Sequence, residues 1–331
     1  MEPRVAALAA SGVLGLIGQC GGDSERIAGA ARLDVEALAN PDALLDLRGY
    51  CDLFEHAAAQ TGIDHFGLYF GSTYRMEAMG PLGALVLNTP TIGAGLRNLC
   101  TYFPAVQEHS TLTVHDQGDM VALQYQIRDG RIAARRQDAE LSIGLFTAML
   151  RRAFGAGWGP AEVQFEHLRA AEREVHERWL KAPVTFAAPV NALIIKKTDL
   201  AVAMPGADVA LLPRLHRELQ KQVTRARPDD FTGLVAQKIR DGLMAGDAGI
   251  ETVAAAMGMS RAGLYRRLNA AGTDYSTLTD QVRRGLAMLY AGQAGIPLTE
   301  VAALLGYSEL SAFSRAFRRW TGKAAGSHRR K

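Results

Sequence analysis

Apolar and polar residues along this chain follow two different rhythms. In "LTVHDQGDMVALQYQI", Leu112 to Ile127, they alternate on either side of a Gly-Asp pair. Successive side chains of a strand face opposite ways, so this pattern predicts a β-hairpin. "AEVQFEHL" from Ala161, "VTFAAP" from Val184 and "NALIIKK" from Asn191 read as further strands. Helical spacing instead marks residues at about 42–61, 92–107, 138–154 and 170–180. The first part of the chain is therefore expected to be an α+β domain. In "VTRARPDDF", Val223 to Phe231, a charged helical stretch meets Pro228 and two aspartates suited to capping a new helix. That is a linker pattern, and it sets the expected domains at 1–227 and 228–331.

Beyond the linker the pattern is helical throughout, and it repeats. Val253, Ala254, Gly258 and Ser260 recur as Val301, Ala302, Gly306 and Ser308. After one inserted residue, Leu264, Arg266 and Leu268 recur as Phe313, Arg315 and Phe317. Each copy reads as a short helix ending at a glycine that can take the left-handed conformation of a tight turn. A small alanine four residues before the glycine admits a second helix closely, and a serine two residues after it is placed to cap that helix. The result is an all-α domain with two helix-turn-helix units. Between them "YSTLTDQVRRGLAMLYAGQ", Tyr275 to Gln293, has apolar residues at Leu278, Val282, Leu286, Met288 and Leu289. It predicts one helix roughly 28 Å long at 1.5 Å per residue, near the pitch of a duplex turn.

The second copy shows what such a helix offers. Phe313, Phe317 and Trp320 share one stripe, leaving Ser311, Ser314, Arg315, Arg318 and Arg319 outward. Arginine can bridge two guanine acceptors in the major groove, and hydroxyls can meet bases or phosphates. The matching places of Arg266 and Arg315 make them the leading base-contact candidates. Arg267, Arg318, Arg319 and Lys323 are assigned to the phosphate backbone, as are Ser260 and Arg261 at the start of the first reader.

Charge sharpens this division. Residues 231–331 carry 14 Lys and Arg against 7 Asp and Glu, whereas residues 1–230 carry 23 against 27. A basic small part on a mildly acidic large one suits a chain whose one domain meets a polyanion. Cys20, Cys51 and Cys100 have no paired spacing, so neither a disulfide framework nor a thiolate zinc site is expected, and a reducing cytoplasmic setting fits. "VAALAASGVLGLIGQC", Val5 to Cys20, has the length of a signal peptide, but Glu2 dilutes its positive start and Gln19 suits no cleavage or lipidation cysteine. It reads as a buried or fraying N-terminal helix, and no membrane span is expected.

Residues 231–328, with the paired units, the joining helix and "GYSELSAFSRAFRRWTG", resemble the DNA-binding domain of AraC/XylS-type transcription regulators. The resemblance points to Ala262, Tyr265 and Arg266 in the first helix, and to Leu310, Ser311 and Arg315 in the second, as base-reading positions. The chain departs from the family pattern after Gly322, where "KAAGSHR" stands in place of a Ser or Thr followed by Pro. Roughly residues 12–205, through "NPDALL", "TGIDHFGLYFG", "NTPTIGAGLRNL" and "FAAPVNALII", are similar to the arabinose-binding-like effector domain of a branch of this family. The resemblance implies a cytoplasmic, effector-responsive regulator, an activator by preference. Its partners would be double-stranded DNA, a small-molecule effector and RNA polymerase. A homodimer is admitted but not required, since one chain carries both readers. Tyr102, His109 and Tyr125 are the effector-site candidates, each with a polar tip beside apolar neighbours.

Enzymatic signatures are lacking. His109 and His115 do not have metal-ligand spacing, and neither a phosphate-loop glycine pattern nor a nucleophile elbow occurs. No cofactor is expected. Two alternatives remain: a ligand-independent DNA binder whose first domain only dimerises, and a DNA-repair alkyltransferase fusion, against which the three isolated cysteines argue.

Overall fold

The computed structural model describes residues 2–168, 173–225, 231–291 and 296–328. They fall into two compact units, Met1–Gln126 with Arg135–Pro228, and Ile127–Ala134 with Asp229–Lys331.

The first unit opens with β1 (Arg4–Ala6), α1 (Val13–Gln19), α2 (Ser24–Ala30) and α3 (Val35–Ala39), after which β2 (Leu44–Asp46) pairs antiparallel with β1. The apolar run after Arg4 is thus a strand, one 3-10 turn and a short helix, not the single helix that its composition suggests. Gly12, at φ +88°, breaks it. Next come α4 (Leu47–Thr61), α5 (Phe66–Thr73), α6 (Gly80–Leu87) and α7 (Ile92–Tyr102). The helix expected from about residue 42 begins instead at Leu47, because the Asp46 carboxylate accepts from the Gly49 amide at 2.7 Å and caps it there.

The predicted hairpin is β3 (Ser110–Gln117) and β4 (Met120–Ile127), turned at Gly118 with φ +79°. It is followed by α8 (Arg136–Phe154), β5 (Glu162–Gln164), α9 (Arg173–Leu180), β6 (Val184–Thr185), β7 (Asn191–Lys196) and α10 (Leu212–Arg225). One five-stranded sheet results, in the order β3-β4-β7-β5-β6, with β5 and β6 parallel. Val121 lies opposite Ile195 and Leu123 opposite Leu193, all buried, while Ala122, Ala192 and Ile194 on the other face form a second buried apolar cluster, so the centre of the sheet is covered on both faces.

Helix α8 is set against α5 by glycines. A Cβ on Gly67 or Gly71 would stand 2.0 Å from the carbonyl oxygen of Gln137 or Leu141, so only glycine permits this approach. The Gln137 side-chain oxygen accepts from the Gly67 amide at 2.6 Å, and the Gln137 amide donates to Glu55 at 3.0 Å. The start of α8 is thereby held by two neighbouring helices.

The second unit contains α11 (Phe231–Ala245), α12 (Ile250–Ala256), α13 (Arg261–Ala270), α14 (Tyr275–Ala291), α15 (Leu298–Leu304) and α16 (Leu310–Thr321), closed by a 3-10 turn at Ala325–His328. The capping assigned to Asp229 and Asp230, the end of the joining helix beyond Ala291, and the tail from 329 onward lie outside the described residues. Residues 127–134 also belong to this unit. The Gly130 amide donates to the Gly233 carbonyl at 3.2 Å, and a Cβ on Gly130 would stand 2.2 Å from the Ala236 carbonyl carbon. Arg131 donates to Thr232 at 3.1 Å, and Arg240 to the Ala133 carbonyl at 3.4 Å.

Candidate nucleic-acid interface and sensor cavity

Both turns of the second unit are built as the repeat implies. Gly258 and Gly306 take φ of +63° and +76°, and Ala254 and Ala302 are each 2% exposed beneath the following helix. Leu264 and Leu268 on α13, and Phe313 and Phe317 on α16, are fully buried. The two copies differ at the turn. Ser260 caps α13 by accepting from the Gly263 amide at 3.1 Å. Ser308 does not cap α16: the inserted residue moves the N-terminal position to Glu309, which makes no side-chain cap bond.

Trp320 is half-buried instead of fully in the core, for its indole N–H donates to Asp280 of α14 at 2.8 Å. The same carboxylate takes Arg319 at 3.0 Å, so one acidic residue ties α16 to the joining helix. Met288 is 42% exposed and leaves the apolar stripe expected of α14, while Tyr290 and Ala291 are buried in it. The 17 residues of α14 span about 25 Å.

All six base-contact candidates, Ala262, Tyr265, Arg266, Leu310, Ser311 and Arg315, are exposed. The basic residues around them are in different states. Arg261 pairs with Glu251 at 2.7 Å and lies over the Tyr265 ring. Arg267 stacks on Phe231 with its guanidinium 3.9 Å from the ring centroid, which joins α13 to the start of α11. Lys323 is exposed beyond α16. Arg266, Arg315 and Arg318 are exposed with no ionic partner among the described residues. The organising roles of Asp280 and Phe231 were missed in the sequence because each acts across helices far apart in the chain.

In the first unit, a small cavity of about 20 Å³ is lined by Tyr50, Tyr74, Met79, Phe103, Gln107 and Ser142, among others. Of the three effector candidates, Tyr125 is bonded to a residue of its wall, Gln107. Its hydroxyl receives from Gln107 at 2.6 Å and donates to Asp138 at 2.6 Å. Tyr102 bonds His216 of α10 at 3.0 Å, and His109 is buried at φ +52° where β3 begins. Burial pushes the Asp138 carboxyl up to about 7.

A second buried group stands on the same helix. Glu140 receives Arg136 at 2.8 Å and faces His176 at 3.0 Å and His167 at 3.4 Å. Burial opposes its ionisation, but Arg136 and His176 outweigh burial and hold the carboxyl well below its ordinary range. Burial lowers His167 to about 4, so it is neutral at pH 7. No set of three or more metal-ligating side chains occurs among the described residues. Burial raises the Cys51 thiol well above its usual value and Cys100 to about 12, the opposite of what an alkyl-accepting thiolate needs. Among the described residues no helix is long and apolar enough to cross a membrane.

A mixed α/β domain followed by a helical unit with two helix-turn-helix motifs defines a DNA-binding transcriptional regulator with a ligand-binding-like domain. Residues 21–204 match the family model described as the arabinose-binding domain of AraC transcription regulator, N-terminal, and residues 253–331 match a helix-turn-helix domain. The chain belongs to the AraC family of transcription regulators. It is 26% identical to the ornithine utilization regulator of Pseudomonas aeruginosa across 97% of this chain and 94% of that protein. It is 27% identical to the HTH-type transcriptional regulator VirS of Mycobacterium tuberculosis across 87% of this chain and 85% of that protein. The crystal structure of transcriptional regulator CdpR from Pseudomonas aeruginosa aligns with 92% of this chain and 98% of its own, at 22% identity and a TM-score of 0.45.

Proposed function

We propose that this regulator is a transcriptional activator that reads two successive major-groove segments, α13 through Tyr265 and Arg266 and α16 through Ser311 and Arg315, and that a small molecule bound in its first unit controls it. The observation that carries the DNA half is the equivalence of Arg266 and Arg315. Each follows a left-handed glycine turn by the same packing logic, and each is exposed without an ionic partner among the described residues. An arginine so placed is available for bidentate contact with guanine. Arg318 and Lys323 then serve phosphates, and Ser260 and Arg261 the backbone near the first reader. Both readers lie on one chain, so a monomer covers about 17–20 base pairs by the one-turn spacing of successive grooves. A dimer would serve regulation more than recognition.

The effector half is supported by the family of the first unit. A relative matched over almost its whole length is named for the utilization of a small metabolite, ornithine. The test is a footprint of the full chain on DNA upstream of its own gene, joined to transcription with RNA polymerase in vitro. Two protected segments about one turn apart on one face, with transcript rising when effector is added, are expected. A single unstructured protection that shows no base preference sinks the two-reader assignment.

A further inference from the structure

We propose that residues 127–134, which leave the sheet after β4 and return at α8, are a strap that sets the spacing of the two readers, with Gly130 and Ala133 as its positioning residues for DNA recognition. This rests on the two-reader assignment and adds to it a part that lies outside the helix-turn-helix sequence.

Beyond Ile127 the strap has no helix or strand, yet it is built into the second unit. Asp129 and Ile132 are each 2% exposed, and the Ile132 amide donates to the Asp129 carbonyl at 3.1 Å, closing a turn around Gly130. The Asp129 carboxylate accepts from the Arg131 amide at 3.0 Å and from its Nε at 2.8 Å, so the turn balances its own charge. That turn lies along one face of α11. Thr232, Ala236 and Arg240 stand there at i, i+4 and i+8, with Gly233 beside them, and all four meet the strap. Glycine is needed on both sides of the contact. A Cβ on Gly130 would stand 2.2 Å from the Ala236 carbonyl carbon, and one on Gly233 would stand 3.0 Å from the Asp129 carboxyl carbon.

Ala133 touches two helices at once. Its carbonyl accepts from Arg240 of α11 at 3.4 Å, and its methyl group faces Gly285 of α14, where an added Cβ would lie 2.9 Å from it. These two helices are the ones that hold the readers. Phe231, next to Thr232 at the start of α11, takes the Arg267 guanidinium of α13 at 3.9 Å. Asp280, on α14 with Gly285, takes Arg319 and Trp320 of α16 at 3.0 and 2.8 Å. The first reader is therefore tied to α11 and the second to α14, and Ala133 bridges the two. Close-packed interiors transmit small displacements, so one methyl group more at this contact moves α14 against α11, and with them α16 against α13. Two helices that enter successive grooves about one turn apart are sensitive to such a shift.

The experiment exchanges one methyl group across this contact in the full chain. Gly285→Ala presses a methyl against Ala133. Combining it with Ala133→Gly moves the methyl from the strap to the helix and removes the clash. Helix propensity favours alanine at 285, so a loss in the single variant comes from the strap. The DNA is the fragment upstream of the protein's own gene, with one base pair added or removed between the two protected segments, beside a fragment of unrelated sequence. Gly285→Ala should bind the native spacing about tenfold more weakly and prefer an altered spacing, while its affinity for unrelated DNA and its salt dependence are kept. The double variant should recover to within about threefold of the wild type. Gly130→Ala presses on α11 from the other end of the strap and should also weaken the native spacing, its melting temperature separating displacement from unfolding.

The proposal is overturned if Gly285→Ala keeps the wild-type spacing preference, if it loses operator and unrelated DNA equally, or if Ala133→Gly does not rescue it. A folded Gly130→Ala protein that binds as the wild type does overturns it too. In each of these cases the wild type still protects two segments and the two-reader assignment stands. If the wild type protects one segment alone, that assignment falls and takes the strap's role with it.

Discussion

The two helix-turn-helix copies are alike inside and unlike outside. Val253, Ala254, Leu264 and Leu268 in the first are buried as Val301, Ala302, Phe313 and Phe317 are in the second, and both turns use a left-handed glycine. Their edges diverge. The first copy has a capping serine and commits Arg267 to Phe231, whereas the second has an uncapped start and commits Arg319 and Trp320 to Asp280. Packing sets the repeat, and the outward residues give each copy its own attachments. A basic residue on such a helix is therefore not automatically available to DNA.

The largest expected effect tests the shared interior. Phe317→Ala should destabilise the second unit by about 3–5 kcal/mol and Leu268→Ala by about 2–5 kcal/mol, since each removes a fully buried side chain and leaves a cavity. Thermal or urea denaturation of the full chain, followed by a probe within the helical unit, reads both. A loss below about 1 kcal/mol at either position would mean that the copy does not fold around this stripe.

Next in size are the two proposed base readers. Arg315→Ala should cost about 1–3 kcal/mol on the operator and relax preference at a single position, and Arg266→Ala should do the same about one turn away. Titration against single-base operator variants distinguishes this from uniform weakening. Uniform loss in both variants would demote both arginines to phosphate contacts while leaving the helix-turn-helix assignment intact.

This contrast also explains what the sequence could show. The hairpin at 112–127, the three later strands and both reader helices were legible because periodicity and turn glycines are local signals. Helix α8 was legible as a helix, but the burial of Gln137, Asp138 and Glu140 was not, because their partners Gly67, Tyr125, His167 and His176 come from other elements. A faint signal existed, in polar residues falling on the apolar stripe of a long helix. "RDGRIAAR" after β4 looks like an ordinary surface loop, and only Gly130 against the backbone of Ala236 reveals why it packs with the helical unit. Gly130→Ala should accordingly destabilise that packing by about 1–3 kcal/mol, measured by the same denaturation.

The cap difference predicts a smaller asymmetry. Ser260→Ala removes a bond to the Gly263 amide and should cost about 1 kcal/mol, whereas Ser308→Ala should change stability by less than about 0.5 kcal/mol. Equal losses would show that the inserted residue does not displace the second serine from capping.

The smallest effect separates two neighbouring arginines by what each already holds. Arg318 and Arg319 are both exposed on the last turn of α16, but among the described residues only Arg319 carries an ion pair, to Asp280 at 3.0 Å. An exposed pair of this kind is weak, yet it orients the guanidinium toward α14 and sets its charge against a carboxylate. Neutralising a free cation that meets phosphate should reduce the salt dependence of DNA binding by about one unit of slope. Arg318→Ala should show that full change, and Arg319→Ala should show less, with a small loss of stability from the broken tie to α14. Removing the tie from the other side sharpens the test. Asp280→Asn releases Arg319 and leaves Trp320 a neutral acceptor, so binding should become more salt-dependent, not less. Titrations of the three variants at two salt concentrations decide the matter. A larger slope change for Arg319→Ala than for Arg318→Ala would mean that Asp280 yields its arginine to the duplex, and the attachments that distinguish the second copy would then be part of its DNA surface.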